Sequence, residues 1–194
     1  MEFIPFEKDD PKSNRRCCYL SELRSKKPVF TKHGPEYFPI LVDIFLRFKP
    51  DMIIELGTFH GGATLVFHEA MLDVEIHTFD KQNLIDLGLF DRNKVFFYQE
   101  DLIDAENPTV VKVLETNKHK RKILYCDNGN KEKEIKLYAK YLSAGDLLGC
   151  HDWRAEVRPE VIAPVLLKHN FVSSPDNDLF RNKNLLSRFW IKEK

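Results

Sequence analysis

The stretch Met52-Ile-Ile-Glu-Leu-Gly-Thr-Phe-His-Gly-Gly62 constrains this chain more than any other. Met52-Ile53-Ile54 is a short apolar run, the pattern of a strand buried on both faces. It ends at a carboxylate, Glu55, followed by Gly57 and the pair Gly61-Gly62. From Ala63 to Met71 the apolar residues Leu65, Val66, Phe67, Ala70 and Met71 recur at helical spacing. Strand, glycine-containing turn and helix together form a unit that offers a helix N-terminus to a nucleotide-like ligand, because small residues let the backbone approach closely.

The glycine spacing narrows the ligand. A dinucleotide fingerprint reads G-x-G-x-x-G, whereas here the glycines read G-x-x-x-G-G with an acid two residues before the first. A carboxylate at that point repels a pyrophosphate and suits a cationic ligand.

Length and charge set the frame. A chain of 194 residues defaults to one domain, and with 43% hydrophobic residues it can bury a core without metal or disulfide staples. Acids and bases number 30 each, which argues against a protein built mainly to coat nucleic acid. The bases are unevenly placed, with eight Lys/Arg against three acids over residues 8–32. Cys17 and Cys18 are adjacent, so a disulfide between them is strained, and Cys126 and Cys150 sit in apolar runs as small hydrophobes. No C-x-x-C pair signals zinc or dithiol chemistry. No basic-then-apolar leader and no run of transmembrane length is present, so a reduced cytoplasmic setting is expected, with no membrane partner.

Taken in order, residues 1–33 read as an irregular arm or lid, with a short helix expected over Tyr19 to Arg24. Residues 34–194 read as a single domain. A helix from Pro35 to Phe48 is apolar nearly all round and is expected to be buried on most sides. Strands follow at Met52–Ile54, Val74–Phe79 (alternating, so one face less buried), Val95–Tyr98, Ile123–Cys126 and Leu147–Cys150. Helices are expected from Pro108, over Lys133 to Leu142 and over Pro159 to His169. Phe171–Ser173 and Ser187–Ile191 read as a closing hairpin, with residues 175–184 its polar loop. The fold class is α/β: a Rossmann-like, doubly wound, mostly parallel seven-stranded sheet with helices on both faces and a C-terminal antiparallel hairpin.

Glu55-Leu-Gly57-Thr-Phe-His-Gly61-Gly62 resembles the first motif, E-x-G-x-x-x-G, of the class I S-adenosylmethionine (SAM) methyltransferases. Asp127-Asn-Gly-Asn, Gly145-Asp146 and His151-Asp152-Trp153 resemble the strand-end motifs of a small-molecule O-methyltransferase and cephalosporin-hydroxylase-like branch. The resemblance spans about residues 35–153. It implies SAM as cofactor, a small-molecule acceptor carrying a hydroxyl, such as a sugar, and cofactor contacts from Glu55, Gly57, Thr58, Phe59, His60, Gly61, Asp80, Asp101 and Asp127. Asp80, at the tip of the second strand, corresponds to the carboxylate that accepts both ribose hydroxyls, a task for a short ionised bidentate acceptor. Asp101 fits an adenine contact better than Glu100.

The departures matter as much. Magnesium-dependent members use a carboxylate after the fourth strand and an Asp-Asn or Asp-Asp pair after the fifth; here Asp127, Asp152 and Trp153 stand there, one oxygen donor short. Mg²⁺ held by Asp127 and Asp152 is one expectation. His151 is the candidate base, since imidazole titrates near neutrality, and Asp152 would orient it; Asp127, His151 and Asp152 form the expected catalytic set. Two other readings stay open, an RNA methyltransferase and a non-catalytic Rossmann-like binding module. A homo-oligomer is left open too. A nicotinamide-dependent oxidoreductase is disfavoured by the glycine spacing, and no Asn/Asp-Pro-Pro-Tyr motif points to base N-methylation.

Overall fold

The computed structural model describes residues 3–5, 18–20, 29–31, 33, 37–102 and 105–194. A small antiparallel sheet is formed by β1 (Phe3–Pro5), β2 (Cys18–Leu20) and β3 (Val29–Thr31), in the order β1-β2-β3. Residues 19 and 20, expected as helix, belong to this sheet, and the rest of that expected helix lies outside the described residues.

The main body alternates strand and helix: α1 (Tyr37–Phe48), β4 (Met52–Leu56), α2 (Gly62–Ala70), β5 (Glu75–Asp80), β6 (Val95–Gln99), α3 (Pro108–Thr116), β7 (Lys122–Cys126), α4 (Lys131–Tyr138), β8 (Leu147–Cys150), α5 (Pro159–Lys168), β9 (Phe171–Ser173), α6 (Asn177–Asn182) and β10 (Arg188–Lys192). Seven strands form one sheet in the order β6-β5-β4-β7-β8-β10-β9. Pairing is parallel through β6, β5, β4, β7 and β8, and antiparallel where β10 meets β8 and β9. This is the expected Rossmann-like sheet with its C-terminal hairpin. Because β5 and β6 lie to one side of β4 and β7 and β8 to the other, the order reverses between β4 and β7, the place where open α/β sheets form their ligand crevice.

The helix boundaries follow local chemistry. Asn107 caps α3 by accepting from the Thr109 and Val110 amides, and Pro108 occupies the first helical turn, where its missing N–H costs nothing. Asn130 caps α4 by accepting from Lys133 N. Two cores flank the sheet. One gathers α1 and α2 around Phe38, Phe45, Phe67 and Tyr125, and the other gathers α3, α4 and α5 around Leu114, Tyr138, Ile162 and Trp190.

Three expectations are corrected. Helix α1 buries one face only, through Tyr37, Phe38, Leu41, Ile44, Phe45 and Phe48, and leaves Leu46 exposed. Strand β5 is buried on both faces, because His77 stacks on Phe96 and Tyr98 of β6 and bonds the Tyr98 hydroxyl. The loop between the hairpin strands contains α6, held by Phe180 in the core and by Asn177, whose amide side chain bonds the Phe189 backbone in both directions.

Candidate active site

Strand register builds the site. Phe79, Leu56, Cys126 and Cys150 pair in one row across β5, β4, β7 and β8. The next residue on each strand is Asp80, Gly57, Asp127 and His151, so these four form the rim of the crevice. Asp127 N donates to Leu56 O at 2.8 Å and His151 N to Cys126 O at 3.1 Å, which extends the ladder one step past the strands.

On the β4 side the turn is closely packed. Gly57 has φ +105°, and a Cβ there would stand 2.7 Å from the backbone of Asp127 and Asn128. Gly61, at φ +81°, is the residue from which α2 starts. Phe59 also takes a left-handed conformation (φ 51°), and its amide donates to Asp80 Oδ2 at 2.8 Å. Gln82 N donates to the other oxygen, Oδ1, at 2.9 Å. Two backbone amides thus fix the Asp80 carboxylate at the strand tip, and each oxygen keeps a second lone pair for a ligand.

Two of the expected loop residues face inward. Glu55 is fully buried and accepts hydrogen bonds from Thr64 and Thr78 at 2.5 and 2.6 Å. It therefore braces the turn against α2 and β5. Burial pushes its carboxyl up to about 8, against the opposing effect of the two hydroxyls. Thr58 is buried and its hydroxyl meets that of Thr78 at 2.6 Å, leaving its backbone for any ligand. His60 is half-buried, edge-on to Phe59. Asp101 is exposed past β6, whereas Glu100 is taken by Asn107 and Thr109 at the start of α3.

On the β7–β8 side, charges converge. His151 Nδ1 lies 3.1 Å from Asp152 Oδ1 and 3.6 Å from Asp127 Oδ1. Asp152 adopts φ 55°, and its carbonyl accepts the amides of Ala155, Glu156 and Val157, so a tight turn fixes the strained residue. Lys131, at the start of α4, reaches Asp152 at 3.0 Å, Glu156 at 2.9 Å and Asp127 at 4.0 Å. Burial pushes Asp152 up, but the His151 hydrogen bond and the His151 and Lys131 charges hold it well below the usual carboxylate range. Asp127 is likewise lowered: burial opposes ionisation, and His33, His151 and Lys131 outweigh it. Trp153 packs on Trp190, with ring centroids 5.3 Å apart, as part of the core edge.

The site also holds residues that sequence reasoning missed. His33 Nε2 is 3.1 Å from Asp127 Oδ2. Its ring stacks on Tyr37 and meets His151 edge-on, each at 4.5 Å between centroids. Tyr37 contacts the Tyr125 hydroxyl and bonds Ser187 at 2.8 Å, beneath the two histidines. Glu134, on α4, is buried with its carboxyl pushed up to about 8 by that burial. Lys131 carried a readable signal, four residues after Asp127 and next to the capping Asn130. His33 carried none, because it follows a segment without periodicity.

No known family profile and no curated protein matches the sequence. Solved structures do. CmcI solved with SAH superposes with TM-score 0.61 at 17% identity, covering 84% of this chain and 80% of that one. CmcI solved with Mg and SAM gives 0.60 at 16%, covering 82% and 73%. A methyltransferase from Geobacter sulfurreducens gives 0.57 at 13%, covering 84% and 80%. With its strand order, its reversal at β4 and β7 and its antiparallel hairpin, this chain has the fold of the SAM-dependent methyltransferases.

Proposed function

We propose that this chain is a SAM-dependent methyltransferase that acts on a hydroxyl group of a small-molecule acceptor. The observation that carries the reading is the rim itself: Asp80, held by the Phe59 and Gln82 amides, stands beside the Gly57–Gly61 turn at the point where the strand order reverses. The resulting surface suits a nucleoside carrying a cationic group. Asp80 accepts the ribose hydroxyls, the turn backbone from Gly57 to Gly61 passes under the methionine portion, and Asp101 lies within the loop beyond β6. CmcI, of the same fold, was solved with SAH and with SAM.

SAM supplies an electrophilic methyl group on a sulfonium that leaves as a neutral thioether. The protein aligns the acceptor and takes its proton. His151 is placed to do so, at a strand end with Asp152 fixing its Nδ1. Asp127 faces both histidines from the neighbouring strand. Mg²⁺ is a candidate second cofactor, as in one CmcI structure. Here Asp127 and Asp152 would be its oxygen donors, and the ion enters only where the Lys131 ammonium gives way. His33, stacked on Tyr37 and facing Asp127, would line the acceptor side of the rim. No helix among the described residues is long and apolar enough to cross a membrane, and the balanced charge favours a small acceptor over RNA.

Calorimetric titration with S-adenosylhomocysteine, run beside NAD, tests the reading. Saturable micromolar binding that weakens at least about tenfold in Asp80→Ala is expected, because charge-assisted hydrogen bonds contribute roughly 1.5–3 kcal/mol each. Absence of binding would sink the proposal, and NAD binding in its place would return the chain to the nicotinamide enzymes.

A further inference from the structure

The ends of β7 and β8 gather carboxylates, an ammonium and two imidazoles in one cluster. Asp127, Asp152 and Glu156 are three carboxylates around one ammonium, Lys131. The side chains of Asp127 and Asp152 are only 12% and 13% exposed, whereas that of Glu156 is 40% exposed. Lys131 is already engaged with Asp152 and Glu156. Beside it, one imidazole nitrogen of His33 and one of His151 face the two oxygens of Asp127.

Their geometry fits an ion. One donor atom each from His33, Asp127 and His151 can be chosen so that all three lie within 4.8 Å of one another. His33 Nε2 is 3.1 Å from one Asp127 oxygen, and His151 Nδ1 is 3.6 Å from the other. Ligands about 2.0–2.1 Å from a tetrahedral ion stand roughly 3.3 Å apart, so closure needs side-chain shifts on the order of an ångström. The orientation of His33 is also set from behind, since its Nδ1 meets Thr31 Oγ1 at 3.3 Å. A hydrogen bond on the far ring nitrogen is what fixes a metal-binding histidine in the required tautomer.

We propose that His33, Asp127 and His151 form a site for a divalent transition-metal ion, which ties His33 to the ends of β7 and β8. Two nitrogens and one carboxylate select a borderline ion such as Zn²⁺ or Co²⁺ over Mg²⁺, which prefers oxygen. Binding uses the His151 nitrogen that faces the carboxylates, so the ion and the free base are alternative ways of ionising a hydroxyl held there. The site stands on its own donors; only that catalytic role rests on the methyltransferase reading.

The test is a spectroscopic titration of the chelator-treated protein with Co²⁺, followed by displacement with Zn²⁺ and, separately, Mg²⁺. Saturable visible absorption at one equivalent, abolished by Zn²⁺ and unaffected by equal Mg²⁺, is expected. Affinity should fall at least tenfold in His33→Ala and in Asp127→Asn. Thermal melts of each variant in chelator report that it is folded. Absence of saturable binding, binding indifferent to His33→Ala, or Mg²⁺ competing as well as Zn²⁺ would each overturn the site. Because no arm uses S-adenosylhomocysteine, failure here leaves the methyltransferase reading standing, and failure of that reading leaves the metal result interpretable.

Discussion

Lys131 Nζ lies 3.0 Å from Asp152 Oδ2 and 4.0 Å from Asp127 Oδ1, so an ammonium on α4 stands between the carboxylates that close β7 and β8. Removing it leaves buried charges facing one another. Lys131→Met should lower stability by about 3–5 kcal/mol, the usual cost of stripping one partner from a buried ion pair. Added Mg²⁺ should then restore part of the loss in the variant and change the wild type little, because the cation fills the position the ammonium held. Thermal melts with and without Mg²⁺ read this out. Equal Mg²⁺ responses of the two proteins would mean that Lys131 does not guard an oxygen site.

Gly57 presses against the Asp127–Asn128 backbone, with no room for a Cβ at φ +105°. Gly57→Ala should cost more than about 2 kcal/mol, combining backbone strain of 1–3 kcal/mol with the clash. It should also displace Asp127, since the colliding atoms belong to that residue and the next. Gly145, also at positive φ (+90°) but with nothing within 4 Å of a built Cβ, is the control. Gly145→Ala should pay the backbone strain alone. Denaturant midpoints compare the two, and equal losses would show that the close approach is relaxed in solution.

The fold was legible because its signals are local. Each parallel strand is a short apolar run ending in a polar or glycine residue, and Asp80, Asp127 and His151 follow directly from where those runs stop. The register then brings them to one rim without further information. What the sequence could not reveal depended on contacts between distant segments. Alternation in Val74–Phe79 suggested an open face, yet His77 is buried by aromatic residues of β6. Residues 175–184 read as a polar loop, and a single buried Phe180 with the Asn177 bonds to β10 turns part of it into helix. His33 reaches Asp127 across 94 positions of chain, through a segment with no pattern. Glu55 illustrates a subtler limit: its place in the motif was evident, but its inward orientation is set by Thr64 and Thr78.

At the opposite end of the sheet, Lys122 and Asp146 form a fully buried pair at 3.0 Å. Asp146 also accepts the amides of Lys122 and Ser143, and the Lys122 ammonium bonds the carbonyls of Asn117 and Lys120. Asp146→Ala should destabilise by about 3–5 kcal/mol, as it leaves an ammonium and two amides without their acceptor. Since the pair sits away from the rim, affinity for S-adenosylhomocysteine in the folded variant should stay within about twofold. Calorimetry well below the melting temperature separates the two effects, and a large affinity loss would mean that this end is coupled to the crevice.

Glu55 makes stability depend on pH in a predictable direction. Its carboxyl is pushed from 4.5 up to about 8 by burial in the folded state. Between those values the folded chain holds a proton that the unfolded chain has released. The native state thus binds more protons, and stability falls as pH rises through this window. Below about pH 4.5 both states are protonated and the effect is constant; above about 8 both are ionised and it is constant again. Glu134 shifts in the same direction, but it is present in wild type and variant alike, so their difference isolates Glu55. Gln at position 55 keeps an oxygen to accept from Thr64 and Thr78 and carries no charge. Glu55→Gln should therefore match the wild type within about 1 kcal/mol at pH 5 and gain on it by up to about 1 kcal/mol per pH unit toward pH 8. Denaturant titrations across that range measure the difference, and a gap that stays constant with pH would show that Glu55 is ionised throughout, its charge met inside the fold.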